Sequence, residues 1–361
     1  MRLFQNSAVM PAYRPRLNAL RRADTTFGAM IATFLRDRFG APHFLAPVLD
    51  GDDTAFFTNG EDEIAQRTWA REHGMRTGAS LGEILLAQIE AHRAEVFYNL
   101  DPVTYGSDFA ARLPGCVRRK IAWRAAPSPS SDFGGYDFMV CNFPSILKRY
   151  EDAGIAARYF CPAHDPALDS FAANEERPID VLFVGGYTRH HSRRAKVLES
   201  VAGLRDKFRV EFVLDRSRWT RLAESPIGLA GPLSKHRRPR AIRAVTRDPA
   251  FGLDLYRLLS QSKIVLNGAI DMAGEDRGNI RCWEALGSRT VMVSDAGIYP
   301  DGMEDGVTMV AYDSPDAAVG AITHLLTDQS PARRIAAAGY TMIRERYSKA
   351  NQWQRFQDLA G

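Results

Sequence analysis

The stretch "EDRGNIRCWEALGSRTVMVSD", residues 275–295, decides the fold class of this 361-residue chain. A charged loop opens it, a run with helical spacing carries Trp283 beside Glu284, and the apolar run 291–293 follows as a strand. Loop, helix and strand in this order are typical of an α/β fold. A carboxylate on a half-buried helix needs a partner, which is either a structural cation or a ligand.

The composition excludes several classes of protein. A chain of 361 residues favours two domains, and 45% hydrophobic with 25% charged residues indicates a globular protein. The net charge of +4 is far below that of a dedicated nucleic-acid binder, so no nucleic-acid partner is expected. The N-terminus "MRLFQNSAVMPAYRPR" lacks the apolar core of a signal peptide, and no apolar run approaches the roughly 18 residues of a membrane span. We therefore expect a cytoplasmic protein.

Cysteine and carboxylate spacing predicts neither a metal site nor a bound cofactor. The four cysteines form no CxxC pair, and three of them lie in or beside apolar stretches, which predicts buried free thiols. They are Cys116, Cys141, Cys161 and Cys282.

Strands and helices alternate along both halves of the chain. The predicted strands of the first half are "RLFQN", "PHFLAPVL", "EVFYNL", "RRKIAW", "YDFMVC" and "ARYFCP". Those of the second half are "DVLFVGG", "RVEFVLD", "KIVLNGAI", "TVMVSD" and "GVTMVAY". Helical segments with short connections lie between them, which predicts parallel sheets covered by helices. The expected architecture is two doubly wound α/β domains facing each other across a cleft.

Two helix ends carry specific signals. The helix "TTFGAMIATFLRDRFG" ends at Gly40, a plausible C-cap, and "SLGEILLAQIEAHRA" starts with the capping-box pair Ser80 and Glu83.

A proline-containing, acidic segment, residues 162–179, interrupts the alternation and predicts a linker. The domains are then 1–165 and 166–345. The last segment, 346–361, is predicted to form a helix that packs back on the first domain.

In open parallel sheets, ligands bind at the carboxyl ends of the strands. In the second half this rule selects Asn267 and the pair Gly185–Gly186, whose lack of side chains lets a phosphate approach the backbone. The cations of residues 189–194, beginning with Arg189, would attract an anion there. The alternatives are a plain turn and a solvated basic helix start.

The opening segment predicts a second part of the same site. The first free amides of its helix belong to Asn279, Ile280 and Arg281, and such amides bind anions. Glu284, one turn further along, could accept hydrogen bonds from two vicinal hydroxyls, as on a ribose. Alternatively, Glu284 only complements the helix dipole or pairs with Arg281 three residues before it. Trp283 is expected to pack in the core.

The segment "NIRCWEALGSRTVMVSD" resembles the R-x-x-E-A-x-x-x-G-type segment of group-one and CgeB-like glycosyltransferases of the GT-B fold. Asp276 and Glu284 are separated by seven residues, similar to the E-x7-E pair of that family. "DVLFVGGYTRHHSRRAKVLESV" and "ARRIAAAGYTMIRERYS" resemble the start of its donor domain and its C-terminal helix. The resemblance extends over roughly residues 115–350.

The resemblance implies that the second domain binds a nucleotide-sugar donor. Glu284 would hold the ribose, and the helix start with Arg281 or Arg277 would meet the diphosphate. The residues implied on the opposite side of the donor are Gly185, Gly186 and Arg189. Asp276 would lie near the sugar hydroxyls, although it is one methylene shorter than the family's Glu. A second departure is "SAVMPAYRPR", which replaces the usual glycine-rich turn after the first strand.

The acceptor side is less clearly encoded, and the acceptor itself is either a glycan, a protein or a small molecule. Asp101 ends the strand "EVFYNL" and is the candidate general base if the reaction inverts. Its alternative role is that of a turn residue before Pro102. Analogy with group one, an argument from fold alone, favours retention.

The stretch "LSKHRRPRAIRAVTR", residues 233–247, concentrates positive charge. It is either a flexible loop that holds diphosphate or an acidic acceptor, a patch for peripheral contact with anionic lipid, or a solvated loop.

Three other functions compete with the transferase. A dinucleotide-dependent oxidoreductase needs G-x-G-x-x-G after a strand, and "VGGYTRH" lacks the later glycine. A non-catalytic module that binds a polyanion or a partner, and a nucleotide-sugar epimerase of similar fold, remain as alternatives.

Overall fold

The computed structural model describes residues 1–187, 191–215, 218–225, 228, 233, 236–268 and 274–361. These residues form two compact units. The first contains Met1–Ala163, residues 274–276 and Tyr347–Gly361, and the second contains the other described residues from His164 to Arg346. Each unit is built around one six-stranded parallel sheet.

In the first unit, short apolar strands alternate with helices. Its strands are β1 Leu3–Asn6, β2 Ala55–Thr58, β3 Val96–Asn99, β4 Arg119–Trp123, β5 Phe138–Cys141 and β6 Ala157–Tyr159. The helices up to this point of the chain are α1 Arg14–Leu20, α2 Phe27–Arg36, α3 Ala46–Asp50, α4 Glu63–Glu72, α5 Leu81–His92, α6 Ser107–Ala110 and α7 Pro144–Asp152. The strand order is β2-β1-β3-β4-β5-β6.

The second unit repeats this alternation. Its strands are β7 Ile179–Gly185, β8 Val210–Leu214, β9 Thr246–Arg247, β10 Ser262–Leu266, β11 Val291–Asp295 and β12 Val310–Tyr312. Its helices are α8 Leu168–Ala172, α9 Ser192–Ala202, α10 Arg218–Glu224, α11 Arg240–Ala244, α12 Gly252–Ser260, α13 Ile280–Gly287, α14 Pro315–Thr327 and α15 Gln329–Arg346. The strand order is β12-β11-β10-β7-β8-β9. The predicted fold class, α/β with two doubly wound parallel sheets, is confirmed.

The last helix, α16 Lys349–Ala360, belongs to the first unit. The buried ammonium group of Lys349 donates hydrogen bonds to the carbonyl oxygens of Ala41 and Phe44, each at 2.6 Å. The Phe356 ring packs on Tyr98 of β3 with their centroids 4.8 Å apart. Because a buried ammonium needs acceptors, these carbonyl groups fix the first turn of α16.

One predicted strand is wrong. "PHFLAPVL" forms the 3-10 turn Ala41–His43 followed by α3, and the strand that pairs with β1 is "AFFT", residues 55–58. Pro47 lies in the first turn of α3, where its missing N–H costs nothing, whereas in a ladder it would remove a hydrogen bond.

Other local predictions have mixed outcomes. Helix α2 ends at Arg36 with Asp37 as its C-cap, so Gly40 is not that cap and instead opens the 3-10 turn at φ +77°. The capping box of Ser80 and Glu83 at α5 is confirmed. Helix α8 lies inside the predicted linker, 162–179.

The cysteines of the chain are free thiols. Cys141, Cys161 and Cys282 are buried as predicted, and Cys116 is half-buried. Among the described residues, none of the helices is both long and apolar enough to cross a bilayer.

Candidate functional site

The strand order of the second sheet locates the candidate site. Adjacent strands β7 and β10 lead to connections on opposite sides, which makes the space between their carboxyl ends the topological switch point. Gly185 ends β7, and Asn267 follows β10 directly. The register pairs Phe183 with Leu266, so both predicted segments lie at this point of the sheet.

Asn267 links the end of β10 to its neighbours. Its backbone N–H donates to the carbonyl oxygen of Val293 at 2.8 Å, and its side-chain amide donates to Ser294 Oγ at 3.1 Å. Its Oδ1 accepts from Asn279 Nδ2 at 3.1 Å, and its carbonyl oxygen accepts from Tyr312 Oη at 2.8 Å. The start of α13 is therefore held against the end of β10.

Two arginines of α9 lie at the same point. A Cβ built on Gly268 would lie 3.5 Å from the aliphatic carbons of Arg194, so this side chain passes closely over the glycine. Arg193 Nη2 donates to the carbonyl oxygen of Asp313 at 2.9 Å. Both arginines oppose the rise in the pKa of Tyr312 that burial causes, which places their positive charges near the end of β12.

Arg277 is buried in an ion pair. Its Nε lies 2.6 Å from Oδ2 of Asp295, the last residue of β11, and the two side chains are largely buried. The Asp295 charge raises the pKa of Tyr312, and Arg277 lowers it. In this state the predicted diphosphate ligand Arg277 is engaged by a carboxylate, so a diphosphate would have to share it.

Helix α13 begins at Ile280 with Asn279 as its N-cap, which confirms the predicted helix start. The Asn279 side chain makes no capping bond, because its amide is turned to Asn267. Gly278 has φ +120°, a conformation that a side chain would strain. The first amides of α13, those of Ile280 and Arg281, lie at the positive end of its dipole.

Glu284 is 4% exposed and pairs with Arg281 through Oε2, so its partner is a cation of the same helix. Burial raises the pKa of Glu284, and the nearby Asp165 raises it further, while Arg281 opposes both. Trp283 is fully buried, as predicted for a core residue. The Glu284 carboxylate is therefore shielded from water, and the Arg281 guanidinium favours its ionised form.

Asp276 binds the start of a distant helix, a contact that the sequence pattern around it does not predict. Residues 274–276 group with the first unit, and Asp276 Oδ2 accepts a hydrogen bond from the backbone N–H of Ser145 at 2.6 Å. Ser145 follows Pro144 in the first turn of α7, so Asp276 acts as the N-terminal cap of that helix. The contact with sugar hydroxyls stays a prediction.

The first sheet has a switch point of its own, between β1 and β3. Asn6 and Asn99 end these strands in register, and Asn6 Nδ2 donates to Asn99 Oδ1 at 2.9 Å. Asn6 Oδ1 accepts from the backbone N–H of Gly60 at 2.8 Å, and Asn99 Nδ2 donates to Tyr136 Oη at 2.6 Å. Sequence reasoning missed both asparagines, although each directly ends an apolar strand.

Asp101 follows this network. Its backbone N–H donates to Asn99 Oδ1 at 2.9 Å, and its Oδ1 accepts from the N–H of Thr104 at 3.4 Å. Its Oδ2 is buried and has no hydrogen-bond partner among the described residues. Burial, and then the Glu61 charge, raise the pKa of Asp101. The turn role is thus present, and one carboxylate oxygen is still available for a ligand.

Some of the predicted site residues lie outside the described residues. They are Arg189, residues 271–273 and part of 233–247. The reading of 233–247 as a loop is wrong for its end, because residues 240–247 contain α11 and β9. Arg238 is buried and forms a two-bond pair with Glu224, at 2.7 and 2.8 Å. The charge of Arg238 is therefore neutralised by Glu224 within the second unit. The contact with anionic lipid, one of the alternatives for this stretch, stays a prediction.

His164, a linker residue just before α8, is structural. It is 3% exposed, and its Nε2 lies 2.8 Å from Asp169 Oδ1.

Comparisons with known proteins agree with this architecture. Residues 193–358 match the family model Glyco_trans_1_2, described as glycosyl transferase-like. No curated protein sequence shows significant similarity to the chain.

Solved structures show the same fold at low sequence identity. Alr3699/HepE of Anabaena, in complex with UDP and glucose, is 13% identical with a TM-score of 0.59 and covers 99% of each chain. A glycosyltransferase of Rickettsia africae ESF-5 is 10% identical with a TM-score of 0.53, over 99% of this chain and 97% of its own. A mutant of S. aureus TarM, in complex with fondaparinux, alpha-GlcNAc-glycerol and UDP, is 10% identical with a TM-score of 0.52, over 78% of this chain and 59% of its own.

Proposed function

We propose that this chain, a glycosyltransferase of the GT-B fold, binds a nucleoside-diphosphate sugar in its second unit and transfers the sugar to an acceptor hydroxyl. The observation that carries this proposal is the switch point of the second sheet. There Arg194 passes over Gly268, and Asn267 holds the start of α13. This arrangement offers positive charge and helix amides to a diphosphate leaving group. UDP is the first candidate, because HepE was crystallised with UDP.

The largest change of charge in the reaction occurs on the diphosphate leaving group. The amides of Ile280 and Arg281, together with Arg194, would stabilise the charge that develops on the diphosphate. We therefore propose a metal-independent transfer, with activity unchanged by EDTA. A Cβ on Gly186 would meet no atom within 4 Å, so the backbone after β7 is open to a phosphate. Arg189 remains a proposed contact on that side.

Glu284 is proposed to hold the ribose. Arg281 engages its Oε2, and Oε1 is the oxygen that would accept from a ribose hydroxyl. A hydroxyl donor would favour the ionised form, which burial opposes, and so bound donor would lower the raised pKa. Asp276 is the proposed contact to the sugar hydroxyls, and it would have to keep or exchange its bond to Ser145.

The acceptor hydroxyl is proposed to meet Asp101. Under retention, which the fold analogy favours, Asp101 would accept a hydrogen bond from that hydroxyl and orient it. One observation favours inversion as a second candidate. Asp101 combines a raised pKa with a buried oxygen that accepts no hydrogen bond from the described part of the chain, as expected of a general base. The anomeric configuration of the product distinguishes the two. The acceptor class, whether glycan, protein or small molecule, needs a product assay.

The donor proposal is tested by thermal unfolding with UDP, GDP, dTDP and ADP. We expect at least one of these diphosphates to raise the unfolding temperature, since a ligand that binds only the folded state stabilises it. The shift should become smaller in Glu284→Gln, which keeps the shape of the side chain but replaces the charged acceptor by a neutral amide with one acceptor oxygen. The matched control is Glu90→Gln, an exposed residue of α5 in the other unit.

Two outcomes would contradict the proposal. No shift with any of the four diphosphates would remove the nucleotide-sugar donor. An unchanged shift in Glu284→Gln would remove the ribose assignment and leave the diphosphate site intact.

A further inference from the structure

A large cavity lies at the amino edge of the second sheet. It has a volume of about 580 Å³, and the first residues of β10 and β11, the end of α8 and the first turns of α15 line it. Lys263 and Val291 mark the amino ends of their strands. The donor site lies at the carboxyl ends of these strands, so the cavity is separate from it.

Positive charge dominates the cavity lining. Its ionised side chains are Arg177, Lys263, Arg289 and Arg333 against the single carboxylate of Glu175. Lys263 Nζ lies 2.6 Å from Asp180 Oδ1, so its charge is neutralised. The guanidinium groups of Arg177, Arg289 and Arg333 form no ion pair with any described carboxylate, which leaves a net positive wall.

Arg177 is held in place by neutral groups. Its Nη1 donates to the carbonyl oxygen of Ser262 at 2.8 Å, and its Nη2 donates to that of Ser288 at 3.1 Å. Burial, and then the charge of Arg289, lower the pKa of Arg177 to about 10. Two like charges thus lie close together in a partly buried place, and an anion between them would relieve the repulsion.

The rest of the lining is apolar. Ile264 and Val291 of the sheet, Leu325 of α14 and Ala336 of α15 form a floor beneath the arginines. A small inorganic anion would leave this floor exposed to water, whereas a ligand with an apolar body would cover it.

We propose that this cavity binds a phosphoryl group carried on an apolar body, with Arg177, Arg289 and Arg333 as its phosphate ligands. Guanidinium groups bind phosphate oxygens through two parallel hydrogen bonds, and Arg177 is already oriented by its two carbonyl contacts. Such a group occurs in soluble phosphomonoesters and in phospholipid headgroups. The proposal is independent of the donor, because none of these arginines belongs to the carboxyl edge.

Calorimetric titration of the full chain with phenyl phosphate tests the proposal. Phenol and inorganic phosphate each carry one of the two parts of this ligand, and both should bind more weakly than phenyl phosphate. The double variant Arg289→Gln and Arg333→Gln removes two exposed cations and should weaken binding about tenfold or more, the effect of losing charge-assisted hydrogen bonds. Arg334→Gln, the exposed neighbour on α15 outside the lining, should leave binding unchanged.

The donor site is the competing place for phenyl phosphate, and Arg194→Gln identifies it. We expect Arg194→Gln to keep the phenyl phosphate binding that the double variant loses. Binding that disappears in Arg194→Gln and stays unchanged in the double variant overturns the proposal, as does the absence of binding to the parent chain. Circular dichroism confirms that each variant is folded.

A second measurement separates the two sources of the ligand. Vesicles of phosphatidic acid in phosphatidylcholine, compared with phosphatidylcholine alone, are sedimented with the chain. Co-sedimentation that the double variant loses assigns the site to a lipid headgroup. Binding of phenyl phosphate without such co-sedimentation assigns it to a soluble phosphomonoester. The proposal is overturned if the chain binds neither phenyl phosphate nor the phosphatidic acid vesicles.

Discussion

The carboxyl edges of the two sheets differ in how they are stabilised. At the first edge, the side-chain amide of Asn6 donates a hydrogen bond to that of Asn99, and Asp101, two residues after Asn99, has a raised pKa. At the second, Arg277 pairs with Asp295, and Arg281 pairs with Glu284. The first edge is a hydrogen-bonded network around one titratable carboxyl group, and the second combines paired charges with a helix N-terminus.

Under the proposed function, the first edge binds the acceptor and the second edge binds the donor. Hydroxyl groups are bound by neutral amides and a carboxylate, whereas a diphosphate requires positive charge and helix amides. The contrast predicts that substitutions at the first edge change turnover or folding, and that those at the second change donor affinity.

The largest effect is expected for Asp101→Asn. The variant should lower kcat at least about tenfold, because a hydrogen bond to a charged acceptor is lost, and more than about a hundredfold if Asp101 is the base. Since burial raises the pKa of Asp101, the parent should lose activity on acidification at a pH above the ordinary range of Asp, and the variant should lack that limb. Steady-state kinetics across the acidic to neutral range measure both.

Stability provides the control for this prediction. The raised pKa means that ionising Asp101 costs folding free energy as the pH rises past the ordinary value of Asp. At neutral pH the permanently uncharged Asn variant should therefore be at least as stable as the parent. A destabilised variant with unchanged kcat would assign Asp101 to the turn alone.

Asn99→Ala should have the second largest effect, on folding. It removes the acceptor of the Asn6 amide and of the Asp101 N–H, and one of the hydrogen bonds of Tyr136 Oη, which keeps its bond to the Tyr105 carbonyl oxygen. The expected loss is about 3 kcal/mol. Urea unfolding measures it, with the exposed Asn351→Ala of α16 as the control. A loss no larger than that of the control would mean that the network does not stabilise this edge.

Arg194→Gln should have the smallest effect of the three, confined to the donor. The expected change is a rise in the donor KM of about tenfold with stability unchanged, equivalent to one charge-assisted hydrogen bond. Lys196→Gln, an exposed residue on the same helix, is the matched control. Equal effects in the two variants would point to general electrostatic attraction rather than a contact at Gly268.

Sequence patterns predicted much of this fold and part of the site. Periodicity located β3, β5, β7 and β10, because a strand buried on both faces is a continuous apolar run. It failed at "PHFLAPVL", where an apolar run is equally compatible with a short helix and Pro47 decides between them. It located Asn279 and Glu284 at the start of α13, since caps and turns are local signals.

Pairings between distant residues could not be predicted in this way. The hydrogen bond from Ser145 to Asp276 joins positions 131 apart, and the bonds of Lys349 to the carbonyls of Ala41 and Phe44 join positions 308 and 305 apart. No local pattern marks such partners, because they are selected by the packing of elements.

The sequence by itself therefore determined the α/β class, the helix start at Asn279 and the carboxylate at Glu284. These follow from hydrophobic periodicity and capping, which depend on residues a few positions apart. Only the tertiary structure decided that Asp276 caps α7 and that Arg177 and Arg289 share a cavity wall. It also selected the pair of Glu284 with Arg281 from the alternatives that the sequence left open. Burial and charge pairing depend on distances in space, and folding brings together residues that the sequence keeps far apart.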